Sequence, residues 1–256
     1  MASVKVRNLE IGAGLPKICV PIVDKTEEEI LETARKITET KADLVEWRVD
    51  WFEEIFDFEK VQDVLSKMQK ILGERPLLFT CRTSGEGGQI TLTKEQYTIL
   101  NQHTIESGKV DMVDVEVFGY QETEDYTETL KQIILLAQKY NVKVVGSNHD
   151  FQSTPSKEEI IRRMVYMQEI GVDIPKIAVM PQNKQDVLTL LTATEEMVRE
   201  HDTTPVVTVS MGPQGVISRI AGKVFGSAIT FGTVGKISAP GQLAVDDLRT
   251  AMKILR

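Results

Sequence analysis

The chain has 256 residues, 41 % of them hydrophobic, and a formal net charge of −8, so it can bury one large core or two ordinary ones. Its acidic balance argues against a general affinity for nucleic acid or an anionic membrane surface, and any anion it binds must meet a local cluster of Arg or Lys. The opening M-A-S-V-K-V-R-N-L-E lacks the apolar region of a signal peptide, and no apolar run is long enough to span a bilayer, which predicts a soluble cytoplasmic protein.

In chain order, residues 3–15 suggest a small β-hairpin capping one end of whatever follows. The first strand-like run is Pro16–Val23, and Thr26 with Glu29 then forms a capping box ahead of Ile30, Leu31, Ala34 and Ile37. A second run covers Asp43–Asp50. Phe58, Val61, Leu65, Met68 and Ile71 follow the helical period, with Gly73 placed to end the helix. Arg75–Arg82 is the third run, and a second capping box, Thr93 with Gln96, precedes Ile99 and Leu100. Met112–Phe118 and Lys143–Asp150 are the fourth and fifth runs. Pro155 suits the first turn of a helix carrying Ile160, Ile161, Met164 and Met167. Ile174–Pro181 is followed by a helix marked by Val187, Leu190, Leu191 and Val198. The last two runs are Pro205–Met211 and Ala228–Val234, before a final helix with Leu243, Leu248 and Met252.

Eight strands alternating with helices in a chain of this length predict a single (β/α)8 TIM-barrel domain over residues 1–256. A doubly wound sheet is the competing architecture. It normally shows a Gly-rich turn after its first strand, and P-I-V-D-K-T has no glycine there. Cys19 and Cys81 both sit in strands, where a free thiol packs as a small apolar group, and a reducing compartment disfavours a disulfide. His103, His149 and His201 lack zinc-site spacing, so no metal is expected.

Period-2 alternation divides each strand into a face toward the helices and a face toward the barrel axis. Val45, Trp47 and Val49, then Leu77, Phe79 and Cys81, then Val113, Val115 and Val117, and finally Pro175, Ile177 and Val179 face outward. Leu44, Glu46, Arg48 and Asp50 face inward, as do Leu78, Thr80 and Arg82, Met112, Asp114 and Glu116, and Ile174, Lys176, Ala178 and Met180. A barrel built for stability alone fills its axis with branched aliphatics. So many charges converging in low dielectric imply either a structural ion-pair network or a working site.

Lys176, in D-I-P-K-I-A-V-M-P, is the inward residue with the most chemistry available to it. Burial beside cations such as Arg48 or Arg82 would favour a free amine able to attack a carbonyl, while pairing with Asp114 or Glu116 would make it structural. Spacing leaves both open. His149, in G-S-N-H-D-F, falls at the C-terminal edge of strand five, beside the strand that carries Lys176, and is placed to move protons. In T-S-G-E-G-G-Q the glycines allow close backbone approach, and Glu86 between them is a candidate support for His149, although the loop also reads as an ordinary turn. After strands seven and eight, Arg219, Ser238 and Gln242 suit a carboxylate and hydroxyls better than a phosphate.

With those residues in place the chain resembles the type I 3-dehydroquinate dehydratases of the shikimate pathway. The resemblance rests on E-W-R-V-D (46–50), the R-x-x-x-E-G-G run 82–88, D-V-E (114–116), S-N-H-D-F (147–151), D-I-P-K-I-A-V-M-P (173–181), G-V-I-S-R (215–219), F-G-S-A-x-T-F-G (225–232) and S-A-P-G-Q (238–242). These stretches run in family order over nearly the whole chain. The resemblance implies a homodimeric TIM barrel, without metal or diffusible cofactor, acting as a hydro-lyase on the route through chorismate to the aromatic amino acids. It implies that Lys176 forms an imine with the C3 ketone of 3-dehydroquinate, that His149 takes a C2 proton and protonates the departing C1 hydroxyl in a syn elimination, and that Glu86 assists it. Glu46, Arg48 and Arg82 fall on positions that contact substrate hydroxyls, Arg219 on the carboxylate partner, and Ser238 and Gln242 on a closing loop. The segment F-G-Y-Q-E-T-E-D-Y-T-E-T is longer than in many relatives and is expected to be a surface extension. Rival readings are a class I aldolase and a non-catalytic barrel that binds a small carboxylate.

Overall fold

The computed structural model describes residues 2–120 and 126–255. Of the segment 118–129 expected as a surface extension after strand four, residues 121–125 lie outside the described residues, whereas 126–129 begin a helix on which Tyr126 is buried. The chain starts with a hairpin, β1 (Val4–Val6) and β2 (Leu9–Ile11), whose antiparallel register pairs Val4 with Ile11 and Val6 with Leu9. The main sheet follows as β3 (Lys17–Ile22), β4 (Leu44–Arg48), β5 (Leu77–Thr80), β6 (Met112–Glu116), β7 (Lys143–Asp150), β8 (Ile174–Val179), β9 (Val207–Ser210) and β10 (Ile229–Thr233). The helices are α1 (Glu27–Thr38), α2 (Phe58–Leu72), α3 (Lys94–Glu106), α4 (Tyr126–Lys139), α5 (Lys157–Glu169), α6 (Lys184–Glu200), the short α7 (Val216–Ile220) and α8 (Gly222–Phe225), and α9 (Val245–Ile254).

Each strand from β3 to β9 pairs in parallel with the next, and β10 pairs in parallel with β3. A parallel bridge between Val206 and Ser227, with the Ala228 N–H donating to the Val206 carbonyl at 2.8 Å, joins the β9 and β10 ends. The sheet therefore closes into the expected (β/α)8 barrel. A two-residue strand, β11 (Leu243–Ala244), pairs with β10 and was not expected; it takes Leu243 out of the last helix, which begins at Val245.

Two apolar layers follow from the alternation. Val45, Trp47, Phe79, Cys81, Val113, Val115, Ile177 and Val179 pack against the helices in the outer layer. Cys19, Leu44, Leu78, Met112, Val145, Ile174, Val207 and Ile229 fill the lower barrel, and Val6 and Ile11 of the hairpin join that cluster and seal the N-terminal mouth. Arg7 ties the hairpin to the same end by donating to Asp111 and to the Gly73 carbonyl, each at 2.5 Å. Both cysteines are free and buried, one in each layer. No helix among the described residues is long and apolar enough to cross a membrane.

The helix starts correct the sequence reading in two places. Thr93 and Gln96 form the reciprocal capping box, but Thr26 and Glu29 make half of one. The Glu29 carboxylate accepts from the Lys25 N–H, one residue earlier than the box requires. Pro155 does not lie in the first turn of α5, because the Ser156 hydroxyl accepts from the Glu159 N–H and so caps a helix that begins at Lys157.

Several strands are shorter than their apolar runs at the C-terminal end. The reason is chemical: carboxylates, not neighbouring strands, take the N–H groups there. Asp50 accepts from the backbone of Arg82 and Gln89, and Glu116 accepts from the Thr83 N–H at 2.8 Å.

Candidate active site

Above the apolar layer the barrel opens into a cavity at the C-terminal mouth. Glu46, Arg48, Arg82, Glu86, His149, Lys176, Arg219, Ser238 and Gln242 all line it. Phe151, Met211 and Phe231 supply its apolar walls.

Register explains why Lys176 and His149 share one cavity. In the β7–β8 ladder Lys176 is opposite Ser147, and Ala178 is opposite His149. Parallel partners point to the same face, so Lys176 and His149 both face the axis, offset by two residues, roughly 6.6 Å along the strand. The Lys176 Nζ donates to Asp114 Oδ2 at 3.1 Å, lies 3.9 Å from Glu46 Oε1 and sits over the Phe231 ring at 4.8 Å from its centre. Its nearest charged partners are thus carboxylates. Arg48 and Arg82 are engaged elsewhere.

Arg82 lies at the hub of the buried network. Its Nη2 donates to Asp114 Oδ1 at 2.7 Å, and its Nη1 donates to Glu116 Oε1 at 3.0 Å and Ser147 Oγ at 2.9 Å. Ser147 in turn donates to Asp114 at 2.6 Å. Burial alone would raise the Asp114 carboxyl, but Arg82 and then Lys176 outweigh it and hold the group below the usual carboxylate range. Arg48 makes a two-pronged pair with Asp50, both bonds 2.8 Å. Thr80 donates to Glu46 at 2.8 Å.

His149 is oriented by Glu86. The Glu86 Oε2 lies 2.8 Å from His149 Nδ1 and accepts the His149 backbone N–H at 2.9 Å. Its turn, residues 84–86, is followed by Gly87 at φ 83, and a Cβ there would meet the Phe151 ring at 2.3 Å, so the position suits glycine alone. Burial, then the cations Arg82, Lys176 and Arg48, hold the imidazole well below its ordinary value. Burial, then the facing Glu116, push the Glu86 carboxyl up to about 8. Ionised Glu86 takes the Nδ1 proton as its hydrogen bond and leaves Nε2 bare toward the cavity.

Arg219 reaches the cavity from α7. Gly215 allows this, because a Cβ there would meet the Ser210 carbonyl oxygen at 2.1 Å and push α7 off the end of β9. The guanidinium donates through Nη2 to the Pro240 carbonyl at 2.8 Å, its Nε has no hydrogen-bond partner, and it forms no ion pair among the described residues. Desolvation pulls its pKa from 12.5 to about 10, a gap that corresponds to roughly 3 kcal/mol of unrelieved burial cost. A buried guanidinium left in this condition is a receptor for an anion. Ser238 and Gln242 were expected to offer their polar groups to a ligand, but here they bond each other: the Ser238 N–H donates to Gln242 Oε1, and Gln242 Nε2 donates to Ser238 Oγ, both at 2.9 Å. The loop closes on itself, and the Gly212 N–H anchors it by donating to the Pro240 carbonyl at 3.1 Å.

Sequence reasoning left three groups out of the site. Ser147 sits two residues before His149 on the same inward face, so the alternation already pointed to it. Phe231 carries an aromatic ring on the inner face of β10 and was hidden in a run of small residues. Asn148 has the opposite parity to Ser147 and His149, and its Nδ2 donates to Glu86 Oε1 at 3.1 Å.

The fold and this mouth define a (β/α)8-barrel enzyme with a buried lysine and a carboxylate-held histidine above an apolar plug. Comparison with known proteins narrows the class. A family model described as type I 3-dehydroquinase matches residues 18–256. The chain is 49 % identical over 252 residues to a 3-dehydroquinate dehydratase of Clostridium botulinum, covering 98 % of this chain and 97 % of that one. It is 49 % identical over 255 residues to the enzyme of that name from Salmonella agona, covering 100 % and 99 %. A crystal structure of the type I 3-dehydroquinate dehydratase of Clostridium difficile, with covalently modified comenic acid, superposes with a TM-score of 0.94 at 44 % identity, covering 100 % of this chain and 98 % of that one. The chain belongs to the type I 3-dehydroquinase family.

Proposed function

We propose that the protein dehydrates 3-dehydroquinate to 3-dehydroshikimate by syn elimination through a Lys176 imine, on the shikimate route to the aromatic amino acids. The observation that carries this reading is the sharing of one cavity by three groups: the Lys176 amine, an imidazole held by Glu86, and the unpaired Arg219 guanidinium.

The Lys176 nitrogen, freed of the proton it shares with Asp114, attacks the C3 carbonyl. The carbinolamine loses its hydroxyl as water and becomes an iminium, which acidifies the C2 hydrogens. His149 Nε2 takes one C2 proton, and the electron pair forms the enamine. Collapse of the enamine expels the C1 hydroxyl, which leaves as water with the proton held on His149. One base serving both ends of the elimination from one side makes it syn. Hydrolysis of the product imine returns the amine and releases the conjugated enone. Arg219 takes the substrate carboxylate, while Glu46, Arg48 and Arg82 face its hydroxyls. No metal or diffusible cofactor is needed, because the iminium is the electron sink. The homodimer and the cytoplasmic location implied by the family resemblance belong to the same reading.

The direct test is to add 3-dehydroquinate and follow enone absorbance, then to quench with borohydride and map the modified peptide. We expect turnover and a reduced ligand mass on the peptide containing Lys176. An unmodified Lys176 in protein that produces no enone would sink the proposal.

Arg219→Met tests the carboxylate contact. Losing one partner of a buried charge-assisted pair costs about 2–5 kcal/mol in other systems, so kcat/KM should drop by about 10² or more, mainly through KM. The melting temperature of the free protein should hold or rise, since an unpaired buried charge is removed. Unchanged KM would reassign the anion contact.

A further inference from the structure

We propose that Arg163, on the outer helix α5, is a positioning residue for the reaction: it fixes the amide of Asn148 so that Nδ2 faces Glu86, and so sets the ionisation of the Glu86–His149 pair. The inference rests on the functional reading above and goes beyond it, because α5 contributes nothing to the cavity wall.

The chain of contacts is continuous. Arg163 Nη1 donates to Asn148 Oδ1 at 2.8 Å, Asn148 Nδ2 donates to Glu86 Oε1 at 3.1 Å, and Glu86 Oε2 holds His149 Nδ1 at 2.8 Å. Arg163 is itself fixed from two sides. Its Nε donates to Glu159 Oε1 at 2.6 Å, and its guanidinium lies 5.7 Å from the centre of the Phe118 ring.

The chemistry of an amide makes this anchoring matter. Asn oxygen and nitrogen occupy nearly the same space, so shape alone does not choose between the two orientations. A guanidinium has donors only, so Oδ1 must face Arg163 and Nδ2 must face Glu86. The opposite orientation would set an amide oxygen against a carboxylate. A donor aimed at Glu86 favours its ionised form, which is the form that holds the Nδ1 proton and leaves Nε2 as the base.

The other groups around the pair come from every neighbouring strand. Arg82 from the end of β5 lies 3.6 Å from Glu86 Oε2, while Glu116 and Asp114 of β6 face it with negative charge. His149 also feels Lys176 of β8 and Arg48 of β4. Arg82 favours ionised Glu86, and Glu116 and Asp114 oppose it. Asn148 adds to the favourable side through a group that can be altered from outside the cavity. Glu159 is held down to about 2, first by Arg162, so the anchor stays charged at every assay pH.

The test compares Arg163→Met with Arg163→Lys, whose ammonium also has donors only and so keeps the amide oriented. Removal of a hydrogen bond to a charged group predicts that the deprotonation of Glu86, near 8 in the parent protein, moves up by about one pH unit in the methionine variant. At pH 7 kcat should then be about tenfold lower and should recover toward the parent value at high pH. The lysine variant should restore most of the parent profile. Borohydride trapping on Lys176 should be unaffected in both. The titration of the His149 ring nitrogens, followed by nitrogen-15 NMR in the free protein, reads the same shift without substrate. It therefore stands even if the parent protein fails to turn over 3-dehydroquinate. An unshifted His149 titration in folded Arg163→Met, or a kcat lowered equally at every pH, would overturn the proposal.

Discussion

Lys176→Met is expected to lower turnover of 3-dehydroquinate by a factor on the order of 10⁴ or more and to leave no adduct after borohydride treatment. The expected size follows from what else lines the cavity. The remaining cations there are Arg48, Arg82 and Arg219, and a guanidinium does not give up its proton to become a nucleophile. Among the described residues no second amine lines the cavity to take over. The variant should still fold, because Asp114 keeps Arg82 at 2.7 Å and Ser147 at 2.6 Å when the ammonium is removed. Methionine retains an unbranched chain and gains a thioether beside Phe231, a favourable contact. A melting temperature close to that of the parent, with activity gone, would separate chemistry from structure. If instead the variant unfolds, as loss of a buried ion pair worth about 3–5 kcal/mol would make it, Lys176 is a strut of the barrel. Near-parental turnover in folded Lys176→Met would remove the imine from the mechanism.

The comparison of structure with sequence turns on what a local period can reveal. Alternation along β4, β5, β6 and β8 placed Glu46, Arg48, Arg82, Asp114 and Lys176 on the inner face, because facing is a property of each strand by itself. It could not say which of those charges would touch. That depends on the stagger of the strands around the barrel, which sets Lys176 opposite Ser147 and brings its Nζ to Asp114. Sequence spacing left the lysine between cationic neighbours and an acidic partner, and the register chose the acid. Strand ends were overestimated for the same reason. An apolar run does not show that Asp50 and Glu116 will take backbone N–H groups away from the ladder. The role of Asn148 was invisible because parity assigns it to the helix side, where its amide lies between Arg163 of α5 and Glu86. Glu86 and Arg219 were picked out from the glycine-containing stretches around them and given roles by the family motifs; they lie on a turn and on the short α7, where no strand period applies.

His149→Ala is expected to lower turnover by about 10²–10⁴, the usual contribution of a positioned acid–base group. The loss should fall on proton transfer rather than on capture of the substrate. Lys176 keeps its amine and its position over Phe231, so the imine should still form, though slowly, because loss of the carbinolamine hydroxyl also draws on a proton from the imidazole. Prolonged incubation followed by borohydride should therefore give the Lys176 adduct in a variant that releases little enone. Exchange at C2 isolates the step more cleanly. In deuterium oxide the parent protein should wash deuterium into C2 of unreacted 3-dehydroquinate, since Nε2 removes and returns that proton. The alanine variant should show no exchange on the same timescale, because the Glu86 carboxylate is turned onto His149 and the Asn148 amide and is not placed as the base at C2. Exchange at the parental rate in His149→Ala would assign the base to another residue and reduce His149 to a wall of the cavity.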